Sequence, residues 1–169
     1  MAGEFLSFVE QTISDCYKVK TSKAFKEDKS TGRQRVDYKS RGKQLVYSFD
    51  VNTAGIAQVF PFFKNIKGLK SVSDYIVFTN RKSDLQPFIL IFELKKSEYP
   101  KQQLMASLEF CQYIIQRINT VFKQDFKPII RMIGLVEKMK TATRIDKLEY
   151  NNDILYTPLR TLDISKLLK

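Results

Sequence analysis

The chain has 169 residues, 43% of them hydrophobic, and a formal net charge of +11 at pH 7. That length and apolar content can bury one core without disulfides or structural zinc, so one domain over residues 1–169 is expected. The positive charge suits a polyanionic partner, although it also fits a merely soluble basic protein.

Residues 4–17 set Phe5, Leu6, Val9, Ile13 and Cys16 or Tyr17 at helical spacing, the pattern of an amphipathic helix. Residues 18–43 hold ten Lys/Arg against Glu27, Asp28 and Asp37, a net +7, around Ser30-Thr31-Gly32. Little periodicity runs through them, so they read as a mobile basic arm or a loosely packed hairpin. Lys23, Lys26, Lys29, Arg33, Arg35, Lys39, Arg41 and Lys43 are its candidate nucleic-acid contacts; a solvated linker is the alternative.

A strand is predicted at 44–51, then a short helix or loop within 54–68. There the aromatics of Val59-Phe60-Pro61-Phe62-Phe63 read as core side chains before base-stacking platforms. Strands follow at 74–79 and 88–95, separated by the polar stretch Asn80–Gln86 and closed by Pro87. After Pro100 the longest helix covers 101–122, with Leu104, Leu108, Cys111, Ile115, Ile118 and Phe122 on one stripe. Residues 128–136 read as a buried strand, 137–150 as a basic loop, 153–157 as a short strand and 161–168 as a terminal helix. This order predicts an α/β protein with a central mixed sheet flanked by helices.

The absence of histidine excludes Ser-His-Asp and Cys-His nucleophile systems and histidine-containing zinc sites. Neither a phosphate-binding loop of the Gly-x-x-x-x-Gly-Lys-Ser/Thr type nor Gly-x-Gly-x-x-Gly occurs. Cys16 and Cys111 lie in apolar helical patterns, as core thiols of a reducing compartment would. No apolar run is long enough to span a bilayer, and Met1-Ala2-Gly3-Glu4 begins no signal-peptide pattern. The expectation is therefore no membrane association and a cytoplasmic location, or a nuclear one in a eukaryote.

Chemistry must then come from carboxylates, lysine and a hard metal. If the strands at 74–79 and 88–95 pair as a hairpin centred near residue 83, Asp74 falls opposite the 92–94 region. Glu93 and Lys95 share one strand face by alternation. A one-residue slip would turn Asp74 away from them. The apolar run 88–92 implies cover on both faces, so charges at its exit are costly unless paired or metal-bound.

Asp74, Glu93-x-Lys95 and the α-β-β-β-α-β order resemble the PD-(D/E)xK nuclease superfamily, over roughly residues 4–136. That superfamily includes restriction endonucleases and archaeal-type Holliday junction resolvases. The resemblance implies a restriction-endonuclease-like core. Its metal site would be Asp74, Glu93 and the Leu94 carbonyl, holding Mg²⁺ or Mn²⁺. Lys95 would position or help deprotonate the attacking water, or stabilise charge on the phosphorus centre. It further implies a fourth carboxylate on the first helix, for which Glu10 stands beside the apolar stripe or is an ordinary surface residue. A glutamine opening the long helix is implied as well: Gln103, with Gln102 the lesser choice. Ser73 replaces the motif's proline. DNA is favoured over RNA, and endonuclease over exonuclease; small nucleases that cut both strands commonly form homodimers. Two other readings stay open: a catalytically inactive nuclease-fold module that binds or assembles on nucleic acid, and a salt-bridge cluster in a protein-binding protein.

Overall fold

A computed structural model describes residues 2–20, 23–29, 32–49, 60, 64, 66, 70–95, 100–137, 154–158 and 161–169. In chain order the elements are α1 (Ala2–Thr12), β1 (Ala24–Lys29), β2 (Gly32–Lys39), β3 (Gln44–Tyr47), β4 (Tyr75–Asn80), β5 (Pro87–Lys95), α2 (Lys101–Phe122), β6 (Ile129–Val136), β7 (Ile154–Thr157) and β8 (Thr161–Asp163). Short 3₁₀ turns cover Asp15–Tyr17 and Ile164–Leu167.

Five strands form one sheet in the order β3-β4-β5-β6-β7. The first three pair antiparallel; β5-β6 and β6-β7 are parallel. Parallel pairing needs a long crossover, which α2 supplies between β5 and β6. As the run 88–92 requires, Phe88 through Leu94 are all buried. Alternation sends Ile89 and Ile91 into a core shared with Phe5 and Val9 of α1 and Leu104, Cys111 and Ile115 of α2. Phe88, Leu90, Phe92 and Leu94 point the other way, into a core with Phe25, Val36, Tyr38, Leu162 and Leu167. That second face is covered by a three-stranded sheet, β1-β2-β8, in which β1-β2 is antiparallel and β2-β8 parallel. The layers are thus helices, mixed sheet, and small sheet.

Several sequence expectations change. The first helix stops at Thr12, and Cys16 lies beyond it in the 3₁₀ turn, exposed and within 3.2 Å of Ser14 Oγ; it is not a core thiol. Cys111 is buried as expected. Over its described residues the basic 18–43 segment takes the hairpin alternative. It contains the β1-β2 hairpin, whose Phe25, Val36 and Tyr38 are buried under its charges. Strand β3 ends at Tyr47 rather than residue 51. At the chain's end, 161–163 is a strand and only 164–167 is helical, as 3₁₀. Of the aromatics at 60–63 only Phe60 is described; it is half-buried and edge-on to Phe110, a core contact. The rest of the predicted 54–68 element, apart from Lys64 and Ile66, and the loop at 138–150 lie outside the described residues.

Candidate active site

The β4–β5 register runs from Asn80 opposite Pro87 to Tyr75 opposite Phe92, and one further step sets Asp74 across from Glu93. Both carboxylates are buried, Asp74 at 7% exposure and Glu93 at 0%. A buried carboxylate is tolerated only with donors or cations around it. Here the two strands supply them reciprocally. The Asp74 N–H donates to Glu93 Oε2 at 3.0 Å, and the Leu94 N–H donates to Asp74 Oδ2 at 2.7 Å. Lys95 Nζ lies 2.8 Å from Glu93 Oε1, with its side chain 16% exposed. Each bond fixes a side chain against the opposite backbone, so the pair is held more tightly than rotamer preference alone would hold it.

The segment entering β4 is anchored to α2. The Ser73 N–H donates to Ser107 Oγ at 2.6 Å, Ser107 Oγ donates to Ser73 Oγ at 2.9 Å, and Ser73 Oγ donates to the Gln103 carbonyl at 3.4 Å. A proline at 73 would have no N–H for the first of these bonds. The same contacts bring the first turn of α2, with half-buried Gln103, beside the carboxylates; Gln102 is exposed.

On the other side the strand pairing continues the row. Glu93 is opposite Gly134 on β6, and Gly134 is opposite Tyr156 on β7. A Cβ built on Gly134 would come within 2.5 Å of Tyr156 Cδ1 and 3.5 Å of Pro100 Cδ. The missing side chain is therefore what leaves room for the Tyr156 ring against Gly134. Sequence reasoning passed over Ser107, Gly134 and Tyr156. A serine interrupting the apolar stripe of α2 was the one available signal.

Glu10 does not join the pair. Its carboxylate accepts from Lys18 Nζ at 2.7 Å and Lys43 Nζ at 3.2 Å, and these two bonds, Lys18's first, hold its carboxyl below the usual range. Among the described residues no group of three or more Cys, Asp or Glu side chains suited to a metal forms. The residues that the structure brings together here are Asp74, Glu93, Lys95 and the backbone of Leu94.

Of the basic candidates, Lys23, Lys26, Arg35, Lys39, Arg41 and Lys43 are exposed, while the side chains of Lys29 and Arg33 lie outside the described residues. Arg35 donates twice to Asp37 Oδ1, and Lys43 is engaged by Glu10. The hairpin covers the sheet face opposite the carboxylates, yet it is joined to the same end of β4. Tyr75 Oη donates to the Lys26 carbonyl at 2.6 Å and accepts its N–H at 3.0 Å, and the Phe25 ring packs on both Tyr75 and Phe92. No helix among the described residues is long and apolar enough to cross a membrane. Comparison with known proteins finds no matching family model, curated protein or solved structure.

Proposed function

We propose that the chain is a divalent-metal-dependent nuclease of the PD-(D/E)xK kind, an endonuclease acting on DNA. The observation that carries this reading is the direct facing of buried Asp74 and Glu93 across the β4–β5 pair, with Lys95 on Glu93. The helix–strand order α1-β3-β4-β5-α2-β6, with the β1-β2 hairpin inserted after α1, is compatible with a restriction-endonuclease-like core. The donor set is all oxygen, which fits Mg²⁺ or Mn²⁺ and not a soft metal. Asp74, Glu93 and the Leu94 carbonyl would hold the ion. When bound, it would acidify a water and offset phosphoryl charge.

The chain's own residues do the rest. Asp74 and Glu93 are pre-positioned by backbone bonds, so no side-chain ordering is needed on substrate arrival. Lys95 brings a cation to the same end of β5, where it can orient the attacking water or stabilise charge on the scissile phosphate. Gln103 on the first turn of α2 is placed to contact substrate from the helix side. The exposed Lys26, whose backbone Tyr75 holds, would attract the strand to the sheet end that Tyr75 shares with Asp74.

One observation favours a second reading, the inactive nucleic-acid-binding module. Lys95 already pairs with Glu93, and each carboxylate already accepts a backbone N–H, a closed set that stabilises the strand ends without any metal. The two separate in a cleavage panel of plasmid, single-stranded and branched DNA with Mg²⁺ or Mn²⁺. For the nuclease, Lys95→Ala lowers the rate by about a hundredfold or more and leaves metal-free DNA binding intact. Cleavage indifferent to Lys95→Ala overturns the assignment. Salt-sensitive binding with no cleavage of any substrate transfers it to the second reading.

A further inference from the structure

A concavity lies at the end of the β4–β5 hairpin away from the carboxylate pair. Asp74 and Asn80 mark the two ends of β4, separated by about 20 Å at the rise of an extended chain. The cavity, about 490 Å³, opens between Ser40–Gly42, residues 79–84 and the Ile164–Lys169 segment. That size matches small-molecule sites, roughly 300–1,000 Å³. Its lining carries the side chains of Arg41, Arg81, Lys82 and Lys169 against one side-chain carboxylate, Asp84.

The charges are not equivalent. Arg81 grips Asp84 through Nε and Nη2, donates to the Leu168 carbonyl at 3.3 Å, and lies over the Phe88 ring. The turn behind it is closed by Arg81 N–H to the Gln86 carbonyl and Leu85 N–H to the Arg81 carbonyl, both 2.9 Å. Arg81 and Asp84 thus form a neutralised, rigid wall. Asp163, the other carboxylate near this rim, feels Arg41 but already accepts the N–H and hydroxyl of Ser165. Lys82 leans across the opening: its Cε stands 3.9 Å from where a Cβ of Gly42 would be, next to Arg41. Ile164 and Leu168 contribute an apolar floor.

We propose that this cavity binds a small phosphorylated ligand of mononucleotide size. Its phosphate is held by Arg41 and Lys82, and its less polar body lies on Ile164 and Leu168. An Arg beside a Lys offers a forked donor and a point charge to the same anion. The volume admits one nucleotide, whereas a duplex meets only the rim. The site is separate from the carboxylate pair and does not depend on the nuclease reading.

Calorimetric titration of the full chain with AMP, UMP and adenosine, in chelator and low salt, tests it. Saturable one-to-one binding of AMP or UMP is expected, with adenosine weaker by about tenfold or more. The Arg41→Ala/Lys82→Ala double variant should lose about tenfold or more in affinity. Both side chains are exposed, so the fold is retained, with the melting temperature as the check. Asp74→Asn should bind the nucleotide as the parent does, which keeps this result independent of any failure to cleave DNA. No saturable nucleotide binding at millimolar concentration, affinity unchanged in the double variant, or affinity lost with Asp74→Asn would each overturn the proposal. So would a single-stranded oligonucleotide that displaces AMP in proportion to its length, which is the behaviour of an open polyanion surface.

Discussion

Replacing Asp74 by asparagine separates what the carboxylate does for the fold from what it does for chemistry. Asn keeps the side chain's shape, and its amide oxygen can still accept the Leu94 N–H that Asp74 Oδ2 accepts at 2.7 Å. The bond from the residue 74 N–H to Glu93 Oε2 does not use the residue 74 side chain and survives, as does the Glu93–Lys95 pair. What disappears is charge assistance. A buried hydrogen bond to a charged group is worth about 1.5–3 kcal/mol and a neutral one about 0.5–1.5, so the structural loss is about 1 kcal/mol. In a domain of this length that lowers the melting temperature by roughly 2–4 °C. The proposed metal site instead loses an anionic ligand, a contribution of several kcal/mol, and cleavage falls by at least about a hundredfold. Thermal unfolding by circular dichroism and initial rates of Mg²⁺-dependent plasmid nicking measure the two effects on one preparation. A fall of more than about 10 °C, with nicking by the folded fraction unchanged, would refute the reasoning and mark the carboxylates as a purely structural fastening.

Gly134→Ala should cost about 1–3 kcal/mol, because the new Cβ meets the Tyr156 ring at 2.5 Å, and chemical denaturation reads the loss. Tyr75→Phe removes both bonds to the Lys26 backbone; faster amide exchange in the β1-β2 hairpin is expected with little change at α2. Thiol titration of the native protein should find only Cys16 reactive, since Cys111 is buried and desolvation pushes its pKa up; Cys111 should react only after unfolding. Glu10 has its carboxyl lowered by Lys18 and then Lys43, so its increment is complete at neutral pH. That increment is lost as the pH falls below the unfolded carboxyl's value of about 4.3 and through the lower folded one. The gap in melting temperature between parent and Glu10→Gln should therefore close on acidification; at one-third exposure it is small, under about 1 kcal/mol at pH 7.

The hairpin that frames the carboxylates was legible in the sequence because both its signals are local. A polar turn closed by Pro87 separates two apolar runs, which puts Asp74 opposite the 92–94 region, and the β4–β5 pairing sets the register at Glu93. The long helix was equally plain, its apolar stripe running from Leu104 to Phe122 and broken only by Ser107. The β1-β2 hairpin was legible only as one alternative to a mobile arm, and what it packs on was not legible. Phe25, Val36 and Tyr38 alternate with charges that dominate composition, and only the partners Tyr75 and Phe92, far along the chain, reveal what they pack on. Residues 161–163 misled for a related reason. A three-residue strand has too short a period to read, and it exists because β2 offers it an edge. Ser73 and Ser107 bond to each other rather than to near neighbours, so neither position alone announces the anchor. Glu10 was credited by its place beside the helix stripe, but Lys18 and Lys43 lie nearer to it than the carboxylates' end of the sheet.

The parallel pairing of β2 with β8 has a consequence for the order in which the molecule assembles. β1 and β2 are neighbours in sequence and can pair early, whereas β8 reaches β2 only after the intervening chain has been made and organised. Until then β2 exposes a row of unpaired backbone groups above the apolar undersides of Phe25, Val36 and Tyr38, the kind of open border along which two unfinished chains join. The exposed Lys26, Arg35 and Lys39 sit on that same hairpin. Mutual repulsion of these cations between neighbouring molecules would guard an incomplete sheet against self-association.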